Sequence, residues 1–218
     1  MQTEFVKSFE IIIQLGAMLA VVGMYAVRVG RDKKLWGILI AGFVPTGILG
    51  LIFYKIVKNY LLGNAHIAMV ALVVGGLVML WWEKKGPIGT KEVDDLSLVQ
   101  AAGIGVAQAL AMIPGVSRSA ATVYGGMGLG LSRKAAVEMS FWLAVPTMVA
   151  ATGLDVVKSS WKFTGGEWGL LILAFAIAFV VAWLSVKWLI ANLQKRSWEG
   201  FAGYRIIIAA VWFLTFRG

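Results

Sequence analysis

Ala109-Leu110-Ala111-Met112-Ile113-Pro114-Gly115-Val116-Ser117-Arg118-Ser119-Ala120-Ala121-Thr122 sets a helix breaker, three hydroxyls and an arginine in the middle of an otherwise apolar chain. Pro114 has no N–H and disfavours helical geometry at Ile113, while Gly115 opens backbone angles closed to other residues, so one helix ends here. Ser117 or Ser119 can N-cap the next. The positive end of that helix, its unpaired N–H groups and the Arg118 guanidinium together make a site for an anion with several oxygens, phosphate first among them.

Working outward, the 218 residues are 60% hydrophobic and 14% charged, against about 25% charged in ordinary soluble domains. That composition predicts an integral membrane protein, and segments approaching the roughly 20 apolar residues that cross a bilayer predict one polytopic domain. No short apolar segment with a small-residue cleavage site opens the sequence, so no cleaved signal peptide is expected. The absence of cysteine excludes disulfides, thiolate metal sites and cysteine nucleophiles. A net charge of +9 sits at the ends of apolar segments rather than on one face, which suits anionic lipid head groups and gives nucleic acid no support.

Residues 9–27, 35–57 and 65–82 read as three membrane helices, with Trp81 and Trp82 at an interface. The stretch 83–96 is a polar loop. Segments 97–113 and 119–131 are too short and interrupted to span, and a helix, breaker and half-helix read as a re-entrant hairpin, which is tolerated at membrane depth only when buried in protein or lining a wet cavity. Residues 138–157, 168–190 and 202–216 read as three more spans. The expected fold is therefore all-α and polytopic, with about six transmembrane helices plus one re-entrant helical hairpin.

An internal repeat organises these pieces. An offset of 132 residues places Ser8-Phe9 on Ser140-Phe141, Trp36-Gly37 on Trp168-Gly169, Phe43 on Phe175, Lys55 on Lys187 and Leu61 on Leu193. Three helices per repeat give the halves opposite topology, with a functional site expected between them at mid-membrane. The expected organisation is a first three-helix repeat over 1–82, the loop 83–96, and a second repeat of hairpin plus three helices over 97–218. The same offset carries Ser117–Thr122 ahead of Met1, so the first repeat is expected to lack its own hairpin. Alternate turns hold twelve Lys and Arg against six, which puts the richer side, with Lys33, Lys34, Lys84 and Lys85, in the cytoplasm.

Arg118 is the leading candidate for chemistry, because a charge at bilayer depth costs several kcal/mol unless paired or hydrated. Ser117, Ser119 and Thr122 cluster with it, and helical spacing puts Ser119 and Thr122 on one face. Gln108 either points into the same cavity or makes a helix–helix hydrogen bond. Tyr204 is an interfacial anchor, and Arg205 either joins it or is a second phosphate ligand. His66, the only histidine, starts a helix at the membrane surface and reads as an interfacial residue. Glu10, Glu138 and Asp155 lie near helix ends in solvated or capping roles. Gly125-Gly126-Met127-Gly128-Leu129-Gly130 lacks the Gly-Lys-Ser/Thr ending of a phosphate loop and reads as close helix packing.

Pro114-Gly115-Val116-Ser117-Arg118-Ser119 with Thr122, preceded by Gln108 and followed by Ser132-Arg133 and Glu138-Met139-Ser140-Phe141-Trp142-Leu143-Ala144-Val145-Pro146, resembles the undecaprenyl-diphosphate phosphatases, the bacitracin-resistance membrane phosphatases. The likeness extends through Phe9-Glu10-Ile11-Ile12-Ile13-Gln14-Leu15-Gly16, Leu72-Val73-Val74-Gly75-Gly76 and Tyr204-Arg205, and covers residues 4–216. It implies two inverted repeats, each a re-entrant hairpin plus three spans, in the bacterial inner membrane. It also implies removal of the terminal phosphate from a C55 polyprenyl diphosphate, which recycles the carrier lipid for cell-wall synthesis and confers bacitracin resistance.

Carried over by position, Ser117, Arg118, Ser119 and Thr122 bind the diphosphate, Gln108 faces it, and Gly115 and Arg205 join the substrate contacts, with Ser117 and Arg118 closest to the chemistry. Mg²⁺ or Ca²⁺ is the expected cofactor, with no metal ligand assigned in this chain. The expected partners are the polyprenyl diphosphate and membrane lipids; a homo-oligomer is compatible with the sequence. The family pattern places a first hairpin, with a Glu-x-x-x-Glu motif, Pro-x-Ser-Ser and a histidine, ahead of the residues matched. A polyprenyl-phosphate transporter or flippase, or a non-catalytic membrane subunit, would share the anion site without turnover.

Overall fold

The computed structural model describes residues 4–86, 89–158, 163–192 and 197–216. Lys162, Lys195, Arg196 and Arg217 lie outside the described residues, as do the side chains of Lys7, Arg28, Arg31, Asp155 and Lys158. Among the described residues the helices are α1 (Glu4–Arg31), α2 (Lys33–Ile56), α3 (Ala65–Lys85), α4 (Leu98–Ala109), α5 (Arg118–Gly128), α6 (Arg133–Lys158), α7 (Gly165–Asn192) and α8 (Glu199–Thr215). A π turn, Val57–Leu61, follows α2, and 3₁₀ turns cover Val93–Asp95 and Leu110–Met112.

The helix starts follow from short polar side chains. Asp32 Oδ1 accepts from Lys34 N at 2.8 Å to open α2, and Asn64 Oδ1 accepts from Ile67 N at 3.2 Å to open α3. Ser97 and Gln100 close a reciprocal capping box on α4. Ser132 Oγ accepts from Ala135 N at 3.1 Å on α6, and Thr164 and Glu167 cap α7 reciprocally. Each cap satisfies an N–H that the helix itself leaves unpaired. Because these polar residues stand outside the apolar runs, α6 and α7 start five and three residues earlier than hydrophobicity alone suggests; α8 also starts three residues early, without a side-chain cap, and α1 runs past both ends of 9–27.

Four segments, Ser8–Ala26, Lys33–Leu61, Ala65–Lys85 and Gly165–Asn192, are long and apolar enough to cross a membrane. The molecule is thus a helical membrane protein. The π turn extends α2 to Leu61, and Leu98–Met112 is a shorter apolar helix.

The chain divides into two compact units. Met1–Trp36 with Phe141–Asn192 makes one; Gly37–Ser140 with Leu193–Gly218 makes the other. These units do not follow the linear halves 1–82 and 97–218, because each draws helices from both. In the first unit α1 runs parallel to α7. A Cβ on Gly16 would meet the Phe175 carbonyl at 2.6 Å, and one on Gly23 would meet the Trp183 ring at 2.9 Å. Phe5 and Phe163 pack edge to face at 5.9 Å near the starts of these helices.

In the second unit α2 and α4 run side by side from the same end, with Gly37 against Leu98, Gly42 against Gly105 and Gly50 against Met112. Thr46 Oγ1 donates to the Gly105 carbonyl at 2.7 Å and accepts from Gln108 Nε2 at 3.1 Å, tying the two helices through buried hydrogen bonds. Helices α3 and α8 are antiparallel and cross at Gly75 and Gly76. A Cβ on Gly76 would meet Ile206 Cγ1 at 2.7 Å and the Ala202 carbonyl at 3.0 Å. His66 meets the Trp212 ring edge-on at 4.9 Å at the other end of the pair.

The α4–α5 segment is a closed hairpin whose ends meet. Gln100 Nε2 donates to the Leu129 carbonyl at 3.0 Å, Lys91 N donates to Gly130 O at 3.0 Å, and Ser132 N donates to Lys91 O at 2.9 Å. Gly130, at φ +99°, makes the return. The glycine-rich run packs as expected: a Cβ on Gly125 would meet Ala107 Cβ at 2.6 Å, on Gly126 Leu131 at 3.1 Å, and on Gly128 Trp82 at 3.1 Å.

Candidate functional site

The tip of the hairpin is built by the Pro-Gly break. Val116 N donates to the Ile113 carbonyl at 3.0 Å, and Gly115 turns the chain at φ +91°. Its α-carbon lies so close to the Ala68 carbonyl of α3 that any side chain would collide. The tip is therefore pressed against the first turns of α3. Ser117 then caps α5, its Oγ accepting from Ala120 N at 3.3 Å and standing 3.2 Å from Ser119 Oγ.

Arg118 begins α5 just after this tip, and Arg205 reaches the tip from α8. Arg205, from α8, is 6% exposed and donates through Nη2 to the Gly115 carbonyl at 2.8 Å. Its Nε is buried with no hydrogen-bond partner, and so is Nη1 of Arg118. Neither arginine is paired with a carboxylate among the described residues. A buried, uncompensated cation is costly, so the buried Arg205 and the half-buried Arg118, each with a donor atom left without a partner, suit an anion.

Beside the tip lies a groove of about 820 Å³ between α3 and the hairpin. One face of α3, from His66 through Ala71, Gly75 and Met79 to Trp82, makes one wall; Ser117, Ala121, Tyr124 and Gly128 of α5 make the other. Its lining is almost wholly apolar, with Ser117, Arg205 and His66 among the few polar residues.

The sequence-predicted residues divide by position. Gly115 and the flanking Ser117 and Arg205 meet at the tip, with Ser117 and Arg205 lining the groove. Arg118 is half-buried and Ser119 exposed on the first turn of α5, beside the groove rather than in its wall. Thr122 is 1% exposed, and its Oγ1 stands 2.7 Å from Ser140 Oγ and within 3.0 Å of the Arg118 and Ser119 carbonyls. Its hydroxyl thus pins the half-helix to α6, so the face it was expected to share with Ser119 opens inward at this position. Gln108 is 2% exposed and turned to Thr46, the helix–helix arrangement of its two readings, and it does not line the groove. His66 is exposed at the start of α3 and lines the groove mouth. Glu138 is buried near the start of α6 rather than solvated.

Three features escape a reading of the sequence by motif. Gly75, where a Cβ would stand 2.7 Å from Arg205 Nη2, makes room for that arginine to cross α3. Thr46 is the partner of Gln108. Trp82 and Tyr124, at 5.6 Å between centroids, close the far end of the groove. For the first, the resemblance held both Leu72-Val73-Val74-Gly75-Gly76 and Tyr204-Arg205 but gave no sign that they meet.

Among the described residues no three His, Asp or Glu side chains gather as metal ligands. The groups around Ser117 are hydrogen-bond donors and cations, a set that suits an anion and does not fit a divalent ion, so no step is derived through one.

Fold and site together define an all-helical membrane protein with a cationic hairpin tip at the head of an apolar groove. Residues 1–211 match the family model described as bacitracin resistance protein BacA, and the chain belongs to that family. It is 47% identical over 214 residues to the undecaprenyl-diphosphatase of Aquifex aeolicus, covering 96% of this chain and 83% of the relative. Against the undecaprenyl-diphosphatase of Thermus thermophilus the identity is 42% over 214 residues, covering 97% and 82%. A third relative of the same name, from a Sulfurihydrogenibium species, is 44% identical over 218 residues, covering 99% and 85%.

Proposed function

We propose that this protein is an undecaprenyl-diphosphate phosphatase, which hydrolyses the terminal phosphate from the polyprenyl diphosphate carrier of cell-wall synthesis. The observation that carries the reading is the apolar groove lined by Ser117 and Arg205, with unpartnered donor atoms on Arg205 and on Arg118 at the start of α5. A substrate with a polyanionic head and a long hydrocarbon tail matches both. The undecaprenyl-diphosphatases among its relatives give the same direction.

Phosphoryl transfer passes through a loose transition state whose charge spreads over the equatorial oxygens, so the protein contributes position and electrostatics. Arg118 and the first N–H groups of α5 are assigned to the phosphoryl oxygens, with Ser117 and Ser119 as hydroxyl donors beside them. Arg205 holds the tip through Gly115 and adds its positive charge beside the same anion. Thr122 and Gln108 act through the backbone they fix. Mg²⁺ or Ca²⁺ enters this proposal only as a counter-ion carried by the diphosphate.

For the membrane arrangement we infer a multi-pass protein of the bacterial cell membrane, with six spanning helices and α4–α5 as a re-entrant hairpin. Supporting this, α4 with its 3₁₀ turn reaches only about 22 Å and α5 about 16 Å, short of a hydrocarbon core of about 30 Å. Both hairpin ends also meet at Leu129–Leu131.

Purified protein in liposomes, given undecaprenyl diphosphate, is expected to release inorganic phosphate. Movement of intact lipid between leaflets without release would replace hydrolysis by transport.

A further inference from the structure

We propose that Glu83 and Arg133 form a clasp at the foot of the hairpin that sets the level of α8 and so places Arg205 at the hairpin tip. Both are positioning residues, and neither lines the groove. The proposal deepens the phosphatase reading above, on which its activity readout rests.

Three helices of the second unit share one spacing. At the upper level Arg205 passes α3 at Gly75 and ends on Gly115. At the lower level Trp198 meets Tyr124 edge-on at 5.8 Å, and Tyr124 packs on Trp82. Seven positions separate the levels on α3, from Gly75 to Trp82, and seven on α8, from Arg205 back to Trp198. On the hairpin the step from Ser117, the cap beside the tip, to Tyr124 is seven again. Each step is about 10.5 Å of helix, so the register held at one level fixes the other.

The lower level is held by charge. Both carboxylate oxygens of Glu83 stand 3.0 Å from Arg133 Nη2, and the Arg133 guanidinium stands 5.8 Å over the Trp198 ring. These charges do nothing for their own helices. Glu83 lies in the last turn of α3 and Arg133 is the first residue of α6, each at the end where the helix dipole opposes its sign. Their pairing therefore serves the join between helices. Arg133 follows Ser132, whose N–H is bonded to Lys91 at the base of the hairpin, so the clasp is tied to the hairpin on one side and to α8 on the other.

The upper level tolerates little error. A Cβ on Gly75 would stand 2.7 Å from Arg205 Nη2, so the guanidinium crosses α3 at a position without a side chain. A slip of α8 by two residues, about 3 Å, would carry its 2.8 Å bond to Gly115 out of hydrogen-bond range. Between the levels α8 rests on α3 by packing of Gly76 against Ala202 and Ile206. The charged clasp adds a stop along the helix axis.

The test has two arms. In the first, phosphate release from undecaprenyl diphosphate is measured for Arg133→Gln in two backgrounds, wild type and Arg205→Ala, with melting temperature confirming that each protein is folded. In wild type the change should lower kcat/KM about tenfold; in Arg205→Ala it should cost less than about twofold, because the residue it positions is gone. Equal losses in both backgrounds would overturn the proposal. Arg133→Lys should keep most of the activity, since one nitrogen serves both Glu83 oxygens and an ammonium can stand in its place; a loss as large as that of Arg133→Gln would count against the clasp. Should Arg133→Gln not fold, the isosteric Glu83→Gln gives the same comparison. The second arm needs no turnover. The chain has no cysteine, so spin labels attached through Leu77→Cys on α3 and Leu214→Cys on α8, both exposed positions, report the level of one helix on the other. Arg133→Gln should shift or broaden that distance by about 2 Å or more, over one residue's rise; an unchanged distance would overturn the proposal. A changed distance in a protein whose wild type releases no phosphate would sink the phosphatase reading alone.

Discussion

The Arg205 guanidinium donates to the carbonyl of Gly115 at 2.8 Å across ninety positions of sequence, and through that bond α8 holds the tip of the central hairpin. Hydrogen bonds to charged groups contribute about 1.5–3 kcal/mol. Arg205→Ala should therefore lower stability by about that amount and, by loosening the tip, reduce kcat/KM by about a hundredfold. Arg205→Lys should fold nearly normally yet recover little activity, since a lysine lacks the fork that serves the carbonyl and the anion together. Full activity in Arg205→Lys would reduce the residue to a simple positive charge.

Gly115 is required twice, by its φ of +91° and by its contact with Ala68. Gly115→Ala should destabilise the protein by more than about 1 kcal/mol and shift the tip away from α3. Thermal unfolding in detergent and phosphate release would both fall. An alanine variant with native melting and native turnover would show that the tip conformation is not the functional one.

The Thr46–Gln108 pair fixes α4 on α2 without entering the groove. Gln108→Leu and Thr46→Val should each cost about 1 kcal/mol, with a coupling of about 0.6 kcal/mol in a double-mutant cycle. KM for undecaprenyl diphosphate should stay within about twofold while kcat falls modestly, because the residue acts through hairpin position. A large rise in KM with unchanged stability would return Gln108 to the substrate.

Thr122 and Ser140 make a comparable test of position against binding. Their oxygens stand 2.7 Å apart in a buried contact. Thr122→Ser keeps the hydroxyl and should retain most activity, whereas Thr122→Val should cost about 1–3 kcal/mol by leaving Ser140 without this partner. A Thr122→Val protein of normal stability that no longer binds the diphosphate would instead make Thr122 a ligand.

These positions also show what a one-dimensional reading can and cannot reach. The hairpin was legible because Pro114-Gly115 has only a few backbone solutions, and Ser117 was legible as a cap because its side chain acts on the next turn of the same chain. Helix existence followed from apolar runs, while their starts were set by Asp32, Ser132 and Thr164, polar residues that hydrophobicity leaves out. Helical phase says which residues share a face but not which neighbour that face meets. So the sequence placed Thr122 on its helix but gave no sign of Ser140 beside it, and Gln108 kept two readings until Thr46 was seen beside it. The groove was least legible, because its walls are apolar residues on separate helices, α3 and the hairpin, whose meeting no local pattern announces.

The central claim is that the hairpin tip binds and acts on a diphosphate through Arg118. Phosphate release from undecaprenyl diphosphate by purified wild type and Arg118→Ala in the same liposomes tests it most directly, with melting temperature measured alongside. The account predicts a fall in kcat/KM of about a hundredfold or more at unchanged melting temperature. Equal release by the two proteins would contradict it.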